Sequence, residues 1–210
     1  MDFSLGFIQL FLEPGQRGNP AGWIVNSNAF SEKYTALHLP NHATRTLKTS
    51  ELARISEYNN QRDCVPEHCS YIINALNIFR DIESVPYFST LRVVGYFSII
   101  ESLITHALKL LESLDSITHQ LCNKLSLIGK RAERPFEIEQ HFGSHKAETI
   151  WKKLYAYRSG IAHGTHQDFT SSLSILKNQE AVTKFLKEAV KSLLIYSLRD
   201  PEFINDLRHC

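Results

Sequence analysis

Two residues in the C-terminal half of the chain carry side chains suited to cleaving RNA without a metal. Arg158 and His163 lie five positions apart in the run Arg-Ser-Gly-Ile-Ala-His. In RNA the 2′-hydroxyl can attack the neighbouring phosphate, and a histidine with a pKa near neutrality can take up or donate the proton. Arginine supplies a forked, permanent cation for the phosphate oxygens and the transition state. This chemistry predicts 2′,3′-cyclic phosphate and 5′-hydroxyl ends, and DNA should resist it.

The spacing of this pair raises a geometric objection. On a regular helix, a five-residue step rotates the side chains about 140° apart. The pair would converge only if the helix broke, or if a second chain supplied one partner across a twofold axis. Gly160 weakens a helix by about 1 kcal/mol relative to alanine, and Gly164 can leave it with a positive φ. The alternative is a chance pair in a chain with ten histidines, followed by glycines that only end the helix.

Composition narrows the class of protein. The chain has 210 residues, 43% apolar and 21% charged, which is typical of one soluble globular domain. Its net charge is +1, so RNA binding would need a local basic patch. No apolar run reaches the roughly 18 residues of a membrane span, and the N-terminus lacks the features of a signal peptide. The four cysteines fit a reducing cytosol. We therefore predict a cytoplasmic protein with no membrane association.

Residues 1–45 predict a small strand-containing arm. Apolar residues alternate over 3–7, and short apolar runs at 23–25 and 34–39 flank turn residues rich in Gly, Asn and Pro. A sheet of this size is not stable alone, so it should pack on the helices or on a partner.

Residues 46–210 predict a helical domain, a bundle of about five helices. Apolar residues recur there at the 3-4 spacing of a helix with one buried face. The predicted segments are a helix after a cap at 49–51, one starting at Pro66 and broken by Pro86, a long one with a stripe over 93–111, one over about 114–130, a polar loop over 129–144, the helix that ends at His163, one over about 179–198, and a short last helix from Pro201.

The residues around the Arg-His pair resemble the HEPN superfamily. Arg158-Ser-Gly-Ile-Ala-His163 is similar to its R-x4-6-H signature. The wider run over 154–164 resembles the ApeA-like HEPN group of prokaryotic defence proteins, as does Phe97-Ser-Ile-Ile-Glu101-Ser-Leu on an earlier helix. The resemblance implies a homodimer in which both motifs form one composite cleft. It also implies a metal-independent endoribonuclease, needing no cofactor, that acts on tRNA or mRNA as a toxin or abortive-infection effector in antiviral defence.

The same resemblance assigns roles to individual residues. Arg158 and His163 take the catalytic positions, and Glu101 is a candidate orienting partner. Ser159 occupies a position where the family often has Asn, Asp or His; serine can hydrogen-bond there but is no acid or base at neutral pH. Thr165 stands where members paired with a nucleotidyltransferase antitoxin often have tyrosine, which argues against that subgroup. Because the N-terminal region is short, a separate sensor or antitoxin protein is a predicted partner.

Several other residues have a functional and a structural interpretation. Lys152 and His166 are candidates for RNA binding or for supporting the cleft. Asp168, like His166, lies just past the motif and could line the cleft, with a solvated loop as the alternative for both. Tyr155 and Tyr157 could stack on bases, although Tyr155 is better explained as core. Charged helix faces are usually only solvated, which is the alternative for a basic patch of Lys130, Arg131, Arg134, Lys146, Lys152 and Lys153.

The start of the second predicted helix carries residues of the types that bind zinc. Cys64, His68 and Cys69 are three potential ligands, but their spacing is compressed and adjacent His-Cys is not a paired zinc knuckle. A helix-start loop with incidental thiols explains them better, and we predict no metal. The alternative to an enzyme is a non-catalytic HEPN-like dimeric module that binds RNA, a nucleotide or a partner protein.

Overall fold

The computed structural model describes residues 49–105, 117–131, 136–165 and 167–209. Within these residues the chain forms eight α-helices, more than the five or so predicted, together with two short 3-10 helices and no strand. The predicted mainly α class is confirmed. The predicted strand-containing arm, residues 1–45, lies outside the described residues.

Helices α3 and α7 form the centre of the fold. Helix α3 contacts α2, α6, α7 and α8, and α7 also contacts α1, α2 and α8. The α-helices are α1 (Thr49–Asp63), α2 (Ser70–Ile82), α3 (Leu91–Ile104), α4 (Ile117–Arg131), α5 (Ile138–Phe142), α6 (Ala147–Ala162), α7 (Gln179–Arg199) and α8 (Pro201–His209); the 3-10 helices are Glu67–Cys69 and Ser174–Leu176.

Helix α3 is central because it is apolar on nearly every side. Tyr96, Phe97 and Ile100 are all at most 1% exposed, and a helix that buries most of its circumference must have neighbours all round. Helix α2 comes close to it at Gly95, where an added Cβ would stand 2.6 Å from Cδ1 of Ile82. The site residue Glu101 lies one turn from the end of this fixed helix.

The predicted bounds of three elements differ from those in the structure. Helix α3 stops at Ile104, because Thr105 takes an extended backbone and its hydroxyl donates to the Glu101 carbonyl at 2.7 Å. The predicted loop over 129–144 retains the end of α4 and contains α5, whose Phe142 is buried against the Phe185 ring. Pro66 begins a 3-10 helix rather than α2 itself.

Helix α6, which carries the Arg-His pair, is held along one face. Ile150, Trp151, Leu154 and Tyr157 are buried on it, and the Trp151 ring lies 5.4 Å from that of Phe185 on α7. Contacts with α3 and α4 complete its packing. None of the described helices combines the length and apolar character needed to cross a membrane.

Candidate functional site

The helix that carries the Arg-His pair does not break. Helix α6 continues through Gly160 to Ala162, and His163 is its C-cap. The expected rotation of about 140° between Arg158 and His163 therefore persists. Arg158 is half-buried on the side facing α3, and His163 is exposed at the helix end. The two side chains therefore leave the helix on different sides, and the break in α6 that would let them converge within one chain is not present.

The chain leaves α6 through a Schellman cap around His163. The Gly164 N–H donates to the Ile161 carbonyl at 3.2 Å, and the Thr165 N–H donates to the Gly160 carbonyl at 2.9 Å. Gly164 has φ +66°, the left-handed conformation that this cap needs. The interpretation of Gly164 as a helix-ending residue is thus correct, and the cap fixes the backbone that presents His163.

Gly160 has a different role, inside the helix. The Gln167 side chain lies on it, and a Cβ at residue 160 would stand 1.8 Å from Gln167 Nε2. That Nε2 donates to the Thr165 carbonyl at 2.8 Å. The segment after the motif therefore folds back over α6. Sequence reasoning missed Gln167; an interior helix glycine, which often marks a close approach, was the available signal.

We expect the two glycines to respond oppositely to alanine once Gln167 is removed. Gly164→Ala should lower the free energy of unfolding by about 1 kcal/mol because alanine is strained at a positive φ. In a Gln167→Ala background, Gly160→Ala should raise it by up to about 1 kcal/mol through helix propensity. Urea unfolding measures both changes. A Gly160→Ala gain that is no smaller with Gln167 present would contradict the close contact.

Arg158 is paired with Glu101 across α6 and α3. Its Nη2 donates to Glu101 Oε2 at 3.0 Å, and the two side chains are 24% and 21% exposed. The guanidinium lies 5.7 Å from the Tyr155 ring centroid, and that ring meets Phe97 edge-on at 5.9 Å. Four residues from two distant sequence segments thus form one contact group.

The ion pair leaves hydrogen-bonding capacity unused. Glu101 Oε1 and Arg158 Nε are buried without a hydrogen-bond partner. Burial raises the pKa of Glu101 above its ordinary value, and the nearby Arg158 only partly opposes this. Because the Arg158 side chain is still 24% exposed, its guanidinium can donate to an additional anionic oxygen as well as to Glu101.

The raised pKa of Glu101 predicts a pH dependence of stability. The folded chain holds the Glu101 proton more tightly than the unfolded chain does. The protonated carboxyl therefore adds to the free energy of unfolding fully below pH 4.5, and this contribution is lost as pH rises through the pKa of Glu101 in the folded chain. We expect the unfolding free energy of the wild type to fall relative to Glu101→Gln as pH rises from about 4 to 7. Arg158→Ala should move this window upward. A pH-independent difference would contradict the burial argument.

His163 ends an exposed stripe along α6. Lys152, Ala156, Ser159 and His163 fall within about 60° of one another around the helix. Three are exposed and Ser159 is half-buried. We call these four residues the motif stripe. Lys152 is paired there with Glu148 at 2.6 Å, which raises the Lys152 pKa through the hydrogen bond and the charge.

The remaining basic candidates are spread over two helices. Lys146 lies at the far end of α6 from His163, about 25 Å along the axis. Arg131 stacks over the Phe203 ring at 4.5 Å, and Lys130 is exposed on α4 with Lys153 half-buried on α6. Arg134 lies outside the described residues, so the basic patch as a whole stays a prediction.

The other predicted site residues have structural explanations or fall outside the description. Tyr157 is 1% exposed and packs against Phe169, so it is a core residue and cannot stack on a base. Tyr155 is only half-buried, so of the two tyrosines Tyr157 is the better buried. Asp168 accepts hydrogen bonds from the Thr170 N–H and the Ser171 hydroxyl, both at 2.7 Å, and organises its own turn. His166 lies outside the described residues.

Comparisons with protein-family models, with curated proteins and with solved structures gave no match. The resemblance to HEPN proteins therefore depends on the residues quoted from the sequence, and its functional meaning is a proposal.

Proposed function

We propose that the protein is a HEPN-type, metal-independent endoribonuclease that acts as a toxin or abortive-infection effector in prokaryotic antiviral defence. The observation that carries the proposal is the arrangement of α6: a half-buried Arg158 held by Glu101 and an exposed His163 fixed by a glycine cap. In this role His163 takes up the proton of the attacking 2′-hydroxyl, or donates a proton to the leaving 5′-oxygen. Arg158 stabilises the charge on the phosphate.

The proposed active form is a homodimer in contact around the C-terminal end of α6, including the motif stripe. Arg158 and His163 lie only about 7.5 Å apart along the helix axis, so a twofold axis close to this end would bring the His163 of each chain towards the Arg158 of the other. Pairing between chains does not require the two residues to share one face of a helix, so the 140° rotation is no obstacle to it. Glu101 would hold the guanidinium in one orientation, and the exposed part of the Arg158 side chain, 24% of its surface, would be available to bind a phosphate oxygen.

A charge at the centre of the motif stripe tests the dimer. Ala156→Glu should shift the protein to monomer in light scattering and abolish RNA cleavage, because two buried carboxylates would face each other across the axis. Ala147→Glu is the matched control, an exposed alanine on the same helix but outside the stripe. Cleavage by a protein that stays monomeric would exclude the composite cleft while leaving the nuclease in place.

The Glu101 contact also supports a second function. An arginine already neutralised by a carboxylate suits a non-catalytic dimeric module that binds RNA, a nucleotide or a partner protein, in which the ion pair only joins α3 to α6. In that case RNA would bind without being cut. Binding that survives His163→Ala, with no cleavage by the wild type, would favour the module.

Sequencing of RNA 5′-hydroxyl ends after induction tests the reaction and identifies the substrate together. The nuclease predicts new 5′-hydroxyl ends paired with 2′,3′-cyclic phosphates at defined tRNA or mRNA positions. Purified protein should produce the same ends in the presence of a chelator, and the matching DNA should remain intact. Ends bearing 5′-phosphates, or none above the uninduced control, would refute the proposal.

A further inference from the structure

A second group of chemically active side chains lies at the start of α2, where it meets α8. His68 and Cys69 belong to the 3-10 helix that leads into α2, and Glu202 lies in the first turn of α8. His68 Nε2 and Glu202 Oε2 are 3.2 Å apart, and the Cys69 thiol donates weakly to the Pro201 carbonyl at 3.7 Å. One ligand atom from each of the three residues lies within 4.8 Å of the others. The group joins positions more than 130 residues apart.

The three donors suit one kind of ion. Imidazole nitrogen, thiolate sulfur and carboxylate oxygen are the ligands of Zn²⁺, and three protein ligands leave a fourth tetrahedral position open. Metal–ligand bonds of 2.0–2.3 Å place tetrahedral donors about 3.3–3.7 Å apart, so the present separations need only small side-chain movements. A thiol ligand disfavours Mg²⁺ and Ca²⁺, which prefer oxygen donors.

Burial and charge are also compatible with an ion at this position. Cys69 is fully buried, whereas His68 and Glu202 are 55% and 61% exposed, so an ion would have solvent access on one side and protein on the other. The positive Arg208 lies nearby, over the Tyr71 ring at 4.3 Å. Zn²⁺ with one thiolate and one carboxylate has no net charge, and therefore adds no repulsion toward Arg208.

We infer that His68, Cys69 and Glu202 form a Zn²⁺ site that ties helix α8 to the start of α2. The group differs from the set considered from sequence, because Cys64 is exposed and does not belong to it. Glu202 replaces it from the far end of the chain, where no local spacing could reveal it. The inference does not depend on the proposed nuclease, since it concerns binding of an ion by separate residues.

Metal titration of the full chain, stripped with a chelator and dialysed, tests this site. We expect one Zn²⁺ per chain by calorimetry. Co²⁺ should give the visible bands of a tetrahedral ion together with a thiolate-to-cobalt absorption in the near ultraviolet. His68→Ala and Glu202→Gln, both at exposed positions, should weaken Zn²⁺ binding by at least about tenfold. Zn²⁺ should raise the melting temperature of the wild type and not that of Glu202→Gln.

Two controls make the test selective. Cys64→Ser should leave the cobalt thiolate absorption unchanged, whereas Cys69→Ser should remove it; if Cys69→Ser does not fold, the two exposed variants still decide. Mg²⁺ should not compete. An absence of stoichiometric Zn²⁺ binding would overturn the site. So would a Zn²⁺ affinity that neither His68→Ala nor Glu202→Gln changes, because the zinc would then be bound by other residues. Because the readouts are binding and melting, failure here is distinct from failure of RNA cleavage.

Discussion

His163→Ala is expected to slow RNA cleavage by about 10²–10⁴-fold, the usual contribution of a positioned acid or base. Arg158→Ala should cost about 10²–10³-fold through lost stabilisation of the phosphate charge. Neither change should unfold the protein, because His163 is exposed and Arg158 is half-buried near the end of α6. The measurements are single-turnover cleavage of the RNA found by end sequencing, and growth after induced expression.

His145→Ala provides the matched control, since it removes another exposed histidine of the same chain. It should leave cleavage and toxicity unchanged. Equal toxicity from the wild type, His163→Ala and Arg158→Ala would rule out the catalytic proposal. Circular dichroism and light scattering on each variant separate loss of chemistry from loss of fold or dimer.

Mixing the two inactive proteins examines the composite cleft directly. Random exchange makes about half of the dimers mixed, and each mixed dimer keeps one Arg158 and one His163 from different chains. If the pair works across the axis, the mixture should recover cleavage that neither variant has alone. A mixture as inactive as its components would argue against catalysis between chains while leaving the single-variant results standing.

Arg92→Ala is expected to lower the free energy of unfolding by about 3 kcal/mol, a large share of the stability of a domain this size. The side chain is 2% exposed. Its Nε donates to the Val85 carbonyl at 2.8 Å, its Nη2 donates to the Glu83 carbonyl at 3.1 Å, and it faces the Glu83 carboxylate at 3.6 Å. Alanine would remove the donors to the two part-buried carbonyls and leave a cavity between α2 and α3.

The loss of unfolding free energy in Arg92→Ala should lie at the low end of the range for a broken buried ion pair, because the Glu83 carboxylate keeps two other partners. The Tyr96 hydroxyl donates to it at 3.1 Å, and Lys187 on α7 also contacts it. Arg80→Ala is the control: Arg80 is 66% exposed and lies 3.8 Å from the exposed carboxylate of neighbouring Asp81, so its loss should cost less than about 1 kcal/mol. Urea unfolding compares the two. Similar small losses for both would show that the Arg92 network contributes little.

The apolar faces of the helices could be predicted from the sequence. Ile72, Ala75 and Phe79 are buried on α2 as their spacing predicts, and the stripe of α7 from Val182 to Leu194 is buried likewise. The periodicity depends only on the spacing of apolar residues along the chain, so the sequence alone indicates which face of each helix is buried. Helix ends were less predictable. The stop at Thr105 depends on a single extended residue, and α5 is too short to carry a periodic signal.

At the candidate site, Arg158 and His163 could be identified from the sequence alone, together with the rotation that separates them on one helix. The regularity of α6, the contact of Glu101 with Arg158 from α3, and the position of Gln167 over Gly160 became known only from the folded structure. Helix rotation follows from local geometry, whereas an ion pair between residues 57 positions apart depends on how whole helices pack. Glu202 joins His68 and Cys69 for the same reason.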